Sequence, residues 1–115
     1  MRTRIMALTV LAGVLGVVPA TKAWDGGVTV VRPGTIDILT ATVVADHWVT
    51  LGLVGDGDTD LDLYVYDPFG RLVGFDEGAT DDCLIRFYAR YTGTYTIKVV
   101  NRSKLFSNRF AIAID

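Results

Sequence analysis

The chain is poor in the residues that build most catalytic and metal centres. It has one cysteine, Cys83, and one histidine, His47, and its only serines are Ser103 and Ser107. A single cysteine excludes an internal disulfide, and a structural zinc site needs about four Cys or His ligands. A nucleophile also needs a neighbouring base to activate it, and no motif supplies such a pair. The composition therefore argues against an enzyme.

Helix-period patterns of apolar residues are absent after the first 23 residues. Short apolar runs instead alternate with turn residues, and this pattern predicts an all-β, two-sheet antiparallel β-sandwich. About eight strands are expected, over residues 28–32, 35–44, 48–54, 60–66, 71–75, 83–90, 94–101 and 108–114. Between the fourth and fifth of these, Asp67-Pro68-Phe69-Gly70 has the residue order of a type I turn.

The first residues have the layout of a secretory signal peptide. Arg2 and Arg4 form a positive start, and residues 5–18 are almost wholly apolar. This run is shorter than the roughly 20 residues of a comfortable membrane span, so we expect a signal-peptide helix over residues 1–23. Cleavage is expected after Ala23 or Ala20. The alternative is that the segment is retained as an N-terminal anchor.

Cleavage after Ala23 leaves one domain, residues 24–115, which is expected to be secreted or periplasmic. Loss of three cations changes the formal charge from −2 to −5. Such an acidic chain is a poor partner for nucleic acids and anionic membranes, and membrane contact is expected only through an uncleaved signal segment. On a eukaryotic secretory route, Asn101-Arg102-Ser103 would also be a glycosylation sequon.

The segment from residue 55 to residue 67 reads GDGDTDLDLYVYD and contains the strongest candidate cation site. Its alternating acidic and aliphatic residues predict a half-buried strand that follows a glycine-rich turn. Calcium prefers six to eight oxygen ligands on a flexible loop, and the proposed ligands are Asp56, Asp58, Asp60 and Asp62. Further ligands are expected from the next acidic loop, at Asp76, Glu77, Asp81 and Asp82. The alternative is that these carboxylates cap turns and keep a sheet edge soluble.

Outward-facing aromatic residues form a second candidate site. Tyr64 and Tyr66 share strand parity with Asp62, so we expect them to face solvent; Trp48 and Tyr88 are expected to do so on their own strands. Exposed aromatic rings beside charges suit polysaccharide or extended protein ligands. The alternative is ordinary cross-strand packing of these rings.

Charge is also segregated along the chain, since acids dominate residues 56–82 and bases dominate residues 83–115. If strands from the two parts pair, Arg86 or Arg90 is expected opposite Asp60 or Asp62. Such exposed pairs would help to fix strand register.

Three segments together resemble a known family. Gly55 to Tyr66, the Asp67-Pro68-Phe69-Gly70-Arg71 hairpin and Thr92 to Asn101 occur in the order found in the bacterial pre-peptidase C-terminal domain. The resemblance covers roughly residues 35–114 and implies a jelly-roll-like β-sandwich that acts as a secreted accessory module, here as a stand-alone copy. Relatives in bacterial collagenases bind collagen and calcium, and Asp60 and Asp62 match the acidic motif of the family.

These observations together predict a non-catalytic, secreted binding or accessory module, stabilised by Ca²⁺, that docks a protein or a polysaccharide. The alternative is a structural or assembly protein of the cell envelope that needs neither a metal nor a small ligand. Because no peptidase accompanies the domain, the resemblance implies no enzymatic activity.

Overall fold

The computed structural model describes residues 5–11, 28–57 and 59–115. Its strands are β1 (Ile5–Leu11), β2 (Val28–Val31), β3 (Ile36–Val43), β4 (His47–Val54), β5 (Leu61–Tyr66), β6 (Leu72–Asp76), β7 (Asp82–Ala89), β8 (Gly93–Asn101) and β9 (Asn108–Ile114). One antiparallel sheet has the order β1-β3-β8-β5-β6, and the other has the order β2-β9-β4-β7. The predicted two-sheet sandwich is confirmed, with eight strands from Val28 onward.

Period-2 alternation places one face of each strand in the core. Along β7, buried Cys83, Ile85, Phe87 and Ala89 alternate with four exposed residues. Both sheets contribute to a single apolar cluster: Val31, Leu39, Ala41, Val43, Val49, Leu51, Leu53, Leu61, Leu63, Val65, Cys83, Ile85, Phe87, Ala89, Tyr95, Ile97, Val99, Phe110 and Ile112. The buried aliphatic side chains between the layers supply most of the favourable free energy of folding.

The β5–β6 hairpin closes through the turn that its sequence predicted. The backbone N–H of Gly70 donates to the carbonyl oxygen of Asp67 at 3.0 Å, which is the bond of a β-turn. One carboxylate oxygen of Asp67 also accepts from the N–H groups of Phe69 at 2.8 Å and Arg71 at 2.9 Å. Gly70 has a φ of 82°, a conformation in which a side chain is disfavoured.

The strands β6 and β7 are edges of different sheets, and they approach each other closely. A Cβ atom added to Gly74 of β6 would lie 2.5 Å from Cγ2 of Ile85 in β7. Only a residue without a side chain fits this contact. The two layers therefore nearly close at this edge, and they open again toward the Asp67 turn.

The N-terminal segment differs from the helix expected there, because Ile5–Leu11 forms the strand β1. This strand pairs antiparallel with β3, with Leu11 opposite Ile38 and Thr9 opposite Thr40. Without β1, β3 would be a free edge, and its unpaired backbone groups favour pairing with an apolar, extended segment. Among the residues that the structure describes, no helix has the length and apolar character needed to cross a membrane. Removal or retention of residues 1–23 stays a prediction.

Candidate functional site

Within the Gly55–Asp67 segment, the side chains of Asp56 and Asp62 are held by separate partners. The carboxylate of Asp56 accepts from the backbone N–H of Arg109 at 2.9 Å. Asp62 is buried, and its Oδ2 accepts from Nε of Arg102 at 2.6 Å. Asp58 lies outside the described residues. Arg102 follows β8, so the partner of Asp62 is neither Arg86 nor Arg90, and that expected pairing is wrong.

Two buried carboxylate oxygens have no hydrogen-bond partner in the described part of the chain. They are Oδ1 of Asp60 and Oδ1 of Asp62, and both are buried. Burial raises the pKa of Asp60, the charge of Asp62 raises it further, and Arg102 partly offsets these effects. A buried carboxylate oxygen without a donor is costly, so these two atoms are the part of the segment that fits a cation.

The carboxylates of the next loop cap backbone and side-chain donors. Oδ2 of Asp81 accepts from the N–H of Gly57 at 2.6 Å and from the amide of Asn108 at 2.8 Å. The two oxygens of Asp76 accept from the N–H groups of Gly78 and Leu84, each at 2.9 Å. Through these bonds the two carboxylates cap turns, which is the role given above as the alternative to metal binding.

The other two candidates of that loop, Glu77 and Asp82, make no described contact with Asp60 or Asp62. Glu77 accepts from the hydroxyl of Tyr64, and Asp82 is exposed at the start of β7. Within the described ranges, no three Asp, Glu, His or Cys residues gather into a group that could hold a metal ion. Among the described candidates, a buried carboxylate oxygen without a partner occurs only at Asp60 and Asp62.

Tyr64 and Tyr66 lie on the outer face of the five-stranded sheet, each partly buried by its neighbours. The Tyr64 ring stacks beside Phe75, with centroids 6.5 Å apart. Its hydroxyl accepts from Arg102 at 3.0 Å, and the hydrogen bond to Glu77 is the main cause of its raised pKa. The ammonium of Lys98 lies 5.0 Å from the Tyr66 centroid. Both rings are engaged in the cross-strand packing that was the alternative to partner binding.

Trp48 and Tyr88 lie on the opposite face of the sandwich, where they are directly paired across β4 and β7. Their exposed fractions are 54% and 40%, and the rings meet edge to face with centroids 5.6 Å apart. The four aromatic residues expected to face solvent thus divide between two faces. The pair on the four-stranded sheet is the more exposed.

A cleft with a volume of about 360 Å³ opens beside this pair. It lies where β7 ends near the Asp67 turn, and it is lined by Trp48, Asp67, Val73, Arg86, Phe87, Tyr88, Arg90, Tyr91 and Tyr95. Its size is at the lower end of the range of about 300–1,000 Å³ typical of ligand sites. Aromatic rings and arginine side chains dominate the lining.

The arginines of the cleft differ in what they contact. The guanidinium carbon of Arg86 lies 4.6 Å from the Trp48 ring centroid, which is a cation–π geometry. At the rim, Arg71 contacts Asp67 at 3.2 Å and lies over the ring of Tyr91 at 5.5 Å. In the described part of the chain, the ion pairs are those of Arg71 and Arg102, so neither Arg86 nor Arg90 has an acidic partner there.

The residues with catalytic potential are apart from this cleft and from one another. Nδ1 of His47 lies 3.5 Å from the carbonyl oxygen of Ala45, and its Nε2 is buried without a described partner. The thiol of Cys83 donates to the carbonyl oxygen of Leu61 at 3.2 Å. Ser103 caps its own loop by accepting from the N–H groups of Leu105 and Phe106.

No family model matches the chain, and no curated protein matches it. Among solved structures, it is similar to the pre-peptidase C-terminal domain of a collagenase from Bacillus anthracis. The TM-score is 0.62 at 8% identity, with 78% of this chain and 89% of that chain covered. The sequence resemblance to that family is thereby confirmed at the level of the fold.

Two other solved structures are less similar in geometry. A periplasmic inhibitor of g-type lysozyme from Aeromonas hydrophila, PliG, gives a TM-score of 0.46 at 17% identity, covering 84% of this chain and 93% of that one. A carbohydrate-binding module from Cellvibrio mixtus lichenase 5A, in complex with cellotriose, gives a TM-score of 0.47 at 10% identity. The match covers 96% of this chain and 97% of that one.

The arginines of the cleft were not among the ligand-binding residues predicted from the sequence. One signal for them was present, because Arg86, Tyr88 and Arg90 share the outward parity of a single strand. Their proximity to Trp48 was not predictable in the same way, since it depends on the register between β4 and β7. Arg102 carried no local signal, because it lies in a loop 40 residues from Asp62.

Proposed function

We propose that the protein is an exported, non-catalytic binding module that docks a polysaccharide or a protein through the Trp48 cleft. One observation carries the proposal: the cleft combines exposed Trp48 and Tyr88 with two arginines, Arg86 and Arg90, that lack acidic partners in the described chain. Exposed aromatic rings and arginines are the residue types enriched at energetically important positions of binding sites. Three of these side chains stand on strands of the packed sheets, and Arg90 directly follows β7.

Catalysis is not part of the proposal. The cleft offers arginines and tyrosines, but its one carboxylate, that of Asp67, accepts hydrogen bonds from Phe69 and Arg71. A general base must reach the proton that it removes, and this carboxylate is engaged in holding its turn. His47 and Cys83 are outside the cleft lining.

Binding is tested by titrating the protein with a panel of soluble polysaccharides and by comparing Trp48→Ala with Phe106→Ala. Phe106 is also an exposed aromatic residue, but it lies in the loop after β8 and outside the cleft. We expect Trp48→Ala to abolish binding and Phe106→Ala to leave it unchanged. Equal loss of polysaccharide binding in both variants, or binding that survives Trp48→Ala, would show that the cleft is not the binding site.

Export is proposed from the positive start and apolar run of residues 1–23. N-terminal sequencing of the protein recovered from the periplasm or medium tests it, with a chain that begins at Trp24 or Thr21 as the expected product. An uncleaved chain in the membrane fraction would support a retained anchor instead.

Calcium binding is proposed at Asp60 and Asp62, with Asp58 as a further ligand. Support comes from the two buried Oδ1 atoms that have no described donor, because a cation would satisfy both. Binding to the folded state alone must raise the melting temperature. We expect Ca²⁺ to stabilise the wild type and to leave Asp60→Asn/Asp62→Asn unaffected; no shift in the wild type at millimolar Ca²⁺ would exclude the site.

The outer face of the five-stranded sheet favours a second candidate function, assembly within the cell envelope. Next to Tyr64, Phe75 is 57% exposed, and Leu72 beside it is 49% exposed. An exposed apolar patch of this kind is a usual feature of protein–protein contacts. Loss of envelope association in Leu72→Ser/Phe75→Ser, but not in Trp48→Ala, would favour this function over ligand binding by the cleft.

A further inference from the structure

The Trp48 cleft is positively charged in a protein that is acidic overall. The chain has a formal charge of −2, yet the charged residues that line the cleft are Arg86, Arg90 and Asp67. Arg71 neutralises Asp67 through a contact of 3.2 Å. Two uncompensated guanidinium groups therefore face the cleft, and their charge complements an anionic ligand.

We propose that the ligand of the cleft is an acidic polysaccharide, whose sugar carboxylates bind to Arg86 and Arg90. This inference rests on the proposed function of the cleft and names the class of polymer that it takes. Carboxylates match the planar fork of a guanidinium group, which donates two parallel hydrogen bonds to them.

The position of Arg86 favours such a contact. Its guanidinium lies over the Trp48 ring, with 4.6 Å between the guanidinium carbon and the ring centroid. Stacking of this kind restricts the side chain and leaves the N–H groups at the edge of the guanidinium available for an acceptor. Less conformational entropy is then lost when a carboxylate binds.

The aromatic part of the lining suits the sugar rings that carry the carboxylates. Tyr88 meets Trp48 edge to face at 5.6 Å, and Tyr91 meets Phe69 in the same way at 4.9 Å. Of these four rings, Trp48, Tyr88 and Tyr91 line the cleft, and they bring both apolar surface and polar hydroxyl or indole groups to it. A sugar unit has the same combination of apolar C–H faces and hydroxyl groups, and the cleft volume of about 360 Å³ accommodates a short stretch of such units.

An acidic protein segment fits the same charges less well. A bound strand would pair with the free edge of β7, but the N–H of Leu84 on that strand already donates to Oδ2 of Asp76 at 2.9 Å. The carboxylate of Asp76 also places a negative charge where an acidic strand would approach. A polysaccharide needs no backbone pairing with β7, so it can stay within the cleft, whose lining does not include Asp76.

The test is calorimetric titration of the full chain with three polymers: polygalacturonate, its fully methyl-esterified form, and poly-L-glutamate. The first two share one backbone and differ in the carboxylate charge. We expect polygalacturonate to bind and to bind more weakly at high salt. Arg86→Gln/Arg90→Gln is expected to weaken its binding by about tenfold or more, whereas Lys104→Gln/Arg109→Gln removes the same charge outside the cleft and is expected to leave it unchanged.

Three results would overturn the inference, and they separate it from the proposed function. Equal binding of the esterified polymer, lost in Trp48→Ala but not in the arginine variant, would mean a neutral polysaccharide ligand and would leave the binding module intact. Binding of poly-L-glutamate in preference to polygalacturonate would mean an acidic protein ligand. Binding of none of the three polymers, by protein shown to be folded by circular dichroism, would contradict the inference, whereas the wider polysaccharide panel with Trp48→Ala tests the function itself.

Discussion

The side-chain amide of Asn101 donates to the carbonyl oxygen of Val31 at 3.1 Å, and this bond connects the two sheets of the sandwich. Asn101 ends β8 in one sheet, whereas Val31 ends β2 in the other. The same amide nitrogen donates to the carbonyl oxygen of Phe106 at 2.8 Å, and the amide oxygen accepts from the N–H of Ser103 at 2.9 Å. A single buried side chain thus satisfies backbone groups of three residues, one at the end of β2 and two in the loop after β8.

Replacement of Asn101 is expected to destabilise the fold. Asn101→Ala removes the partner of the buried carbonyl oxygen of Val31 and of two part-buried backbone groups, and a backbone group that cannot reach water costs about 1–3 kcal/mol when it is left unpaired. Urea unfolding measures the loss. A change of less than about 0.5 kcal/mol, the size typical of surface substitutions, would contradict the structural role.

The variant Asn101→Asp tests the same buried contacts through the pH dependence of its stability. Its carboxylate would face the carbonyl oxygens of Val31 and Phe106, so burial and repulsion would raise its pKa above the unfolded value of about 3.9. A raised carboxyl pKa means that the folded state binds more protons, so its stability falls as the pH rises. We expect the difference from the wild type to grow between pH 4 and pH 7, and an unchanged difference would argue against the buried contacts.

The stability that Asp67 gives to the β5–β6 hairpin is expected to be lost in acid. Burial by itself would raise the pKa of Asp67, but N–H donors from Arg71 and Phe69 and the charge of Arg71 outweigh it and hold the pKa below its usual value. The stabilising contribution is therefore present above the unfolded pKa of about 3.9 and is lost as the pH falls through the lower folded value. Thermal melts of the wild type and Asp67→Asn are expected to converge below about pH 4; a constant gap would contradict this assignment.

Cys83 is expected to be chemically inert in the folded protein. Burial, followed by the nearby negative charges of Asp76 and Asp62, raises the pKa of its thiol to about 12. The thiolate is the reactive form, and it is scarce at neutral pH. A disulfide-exchange reagent is expected to modify Cys83 slowly in the native protein and rapidly in guanidinium chloride. Similar rates in the two states would show that the thiol is accessible.

Gly74 tests the close contact between the two sheet edges. Gly74→Ala places a methyl group about 2.5 Å from Cγ2 of Ile85, and relief of such an overlap typically costs about 1–3 kcal/mol. Removal of the opposing methyl groups in Ile85→Ala makes room for the added one. A double-mutant cycle followed by urea unfolding is expected to show favourable coupling between the two changes, and strictly additive losses would contradict the contact.

The strands were predictable because their pattern is local. Along β7, β8 and β9, alternation of apolar and polar residues marks both the extent of each strand and its inward face. The turn at Asp67 was predictable for the same reason, since Asp, Pro and Gly act on their own backbone. These features need no knowledge of which strands are neighbours.

The pairing of strands and the roles of the acidic residues depend on contacts between distant segments. Oδ2 of Asp81 binds the amide of Asn108, and Asp62 binds Arg102 from a loop that follows another strand. Strand parity alone does not reveal such partners, because it is the same for every arrangement of the sheet. For this reason Arg86 was expected opposite an acid, although it lies opposite Thr50.

The burial of Asn101 also decides how the protein should be produced. Asn101 is only 1% exposed, yet it begins a triplet that a eukaryotic oligosaccharyltransferase recognises while the nascent chain is still unfolded. A glycan attached there would be too bulky for the space between Val31 and Phe106, so the two layers could not close over it. Yeast or insect-cell secretion is therefore expected to yield misfolded material, which a bacterial host or a Ser103→Ala variant would avoid.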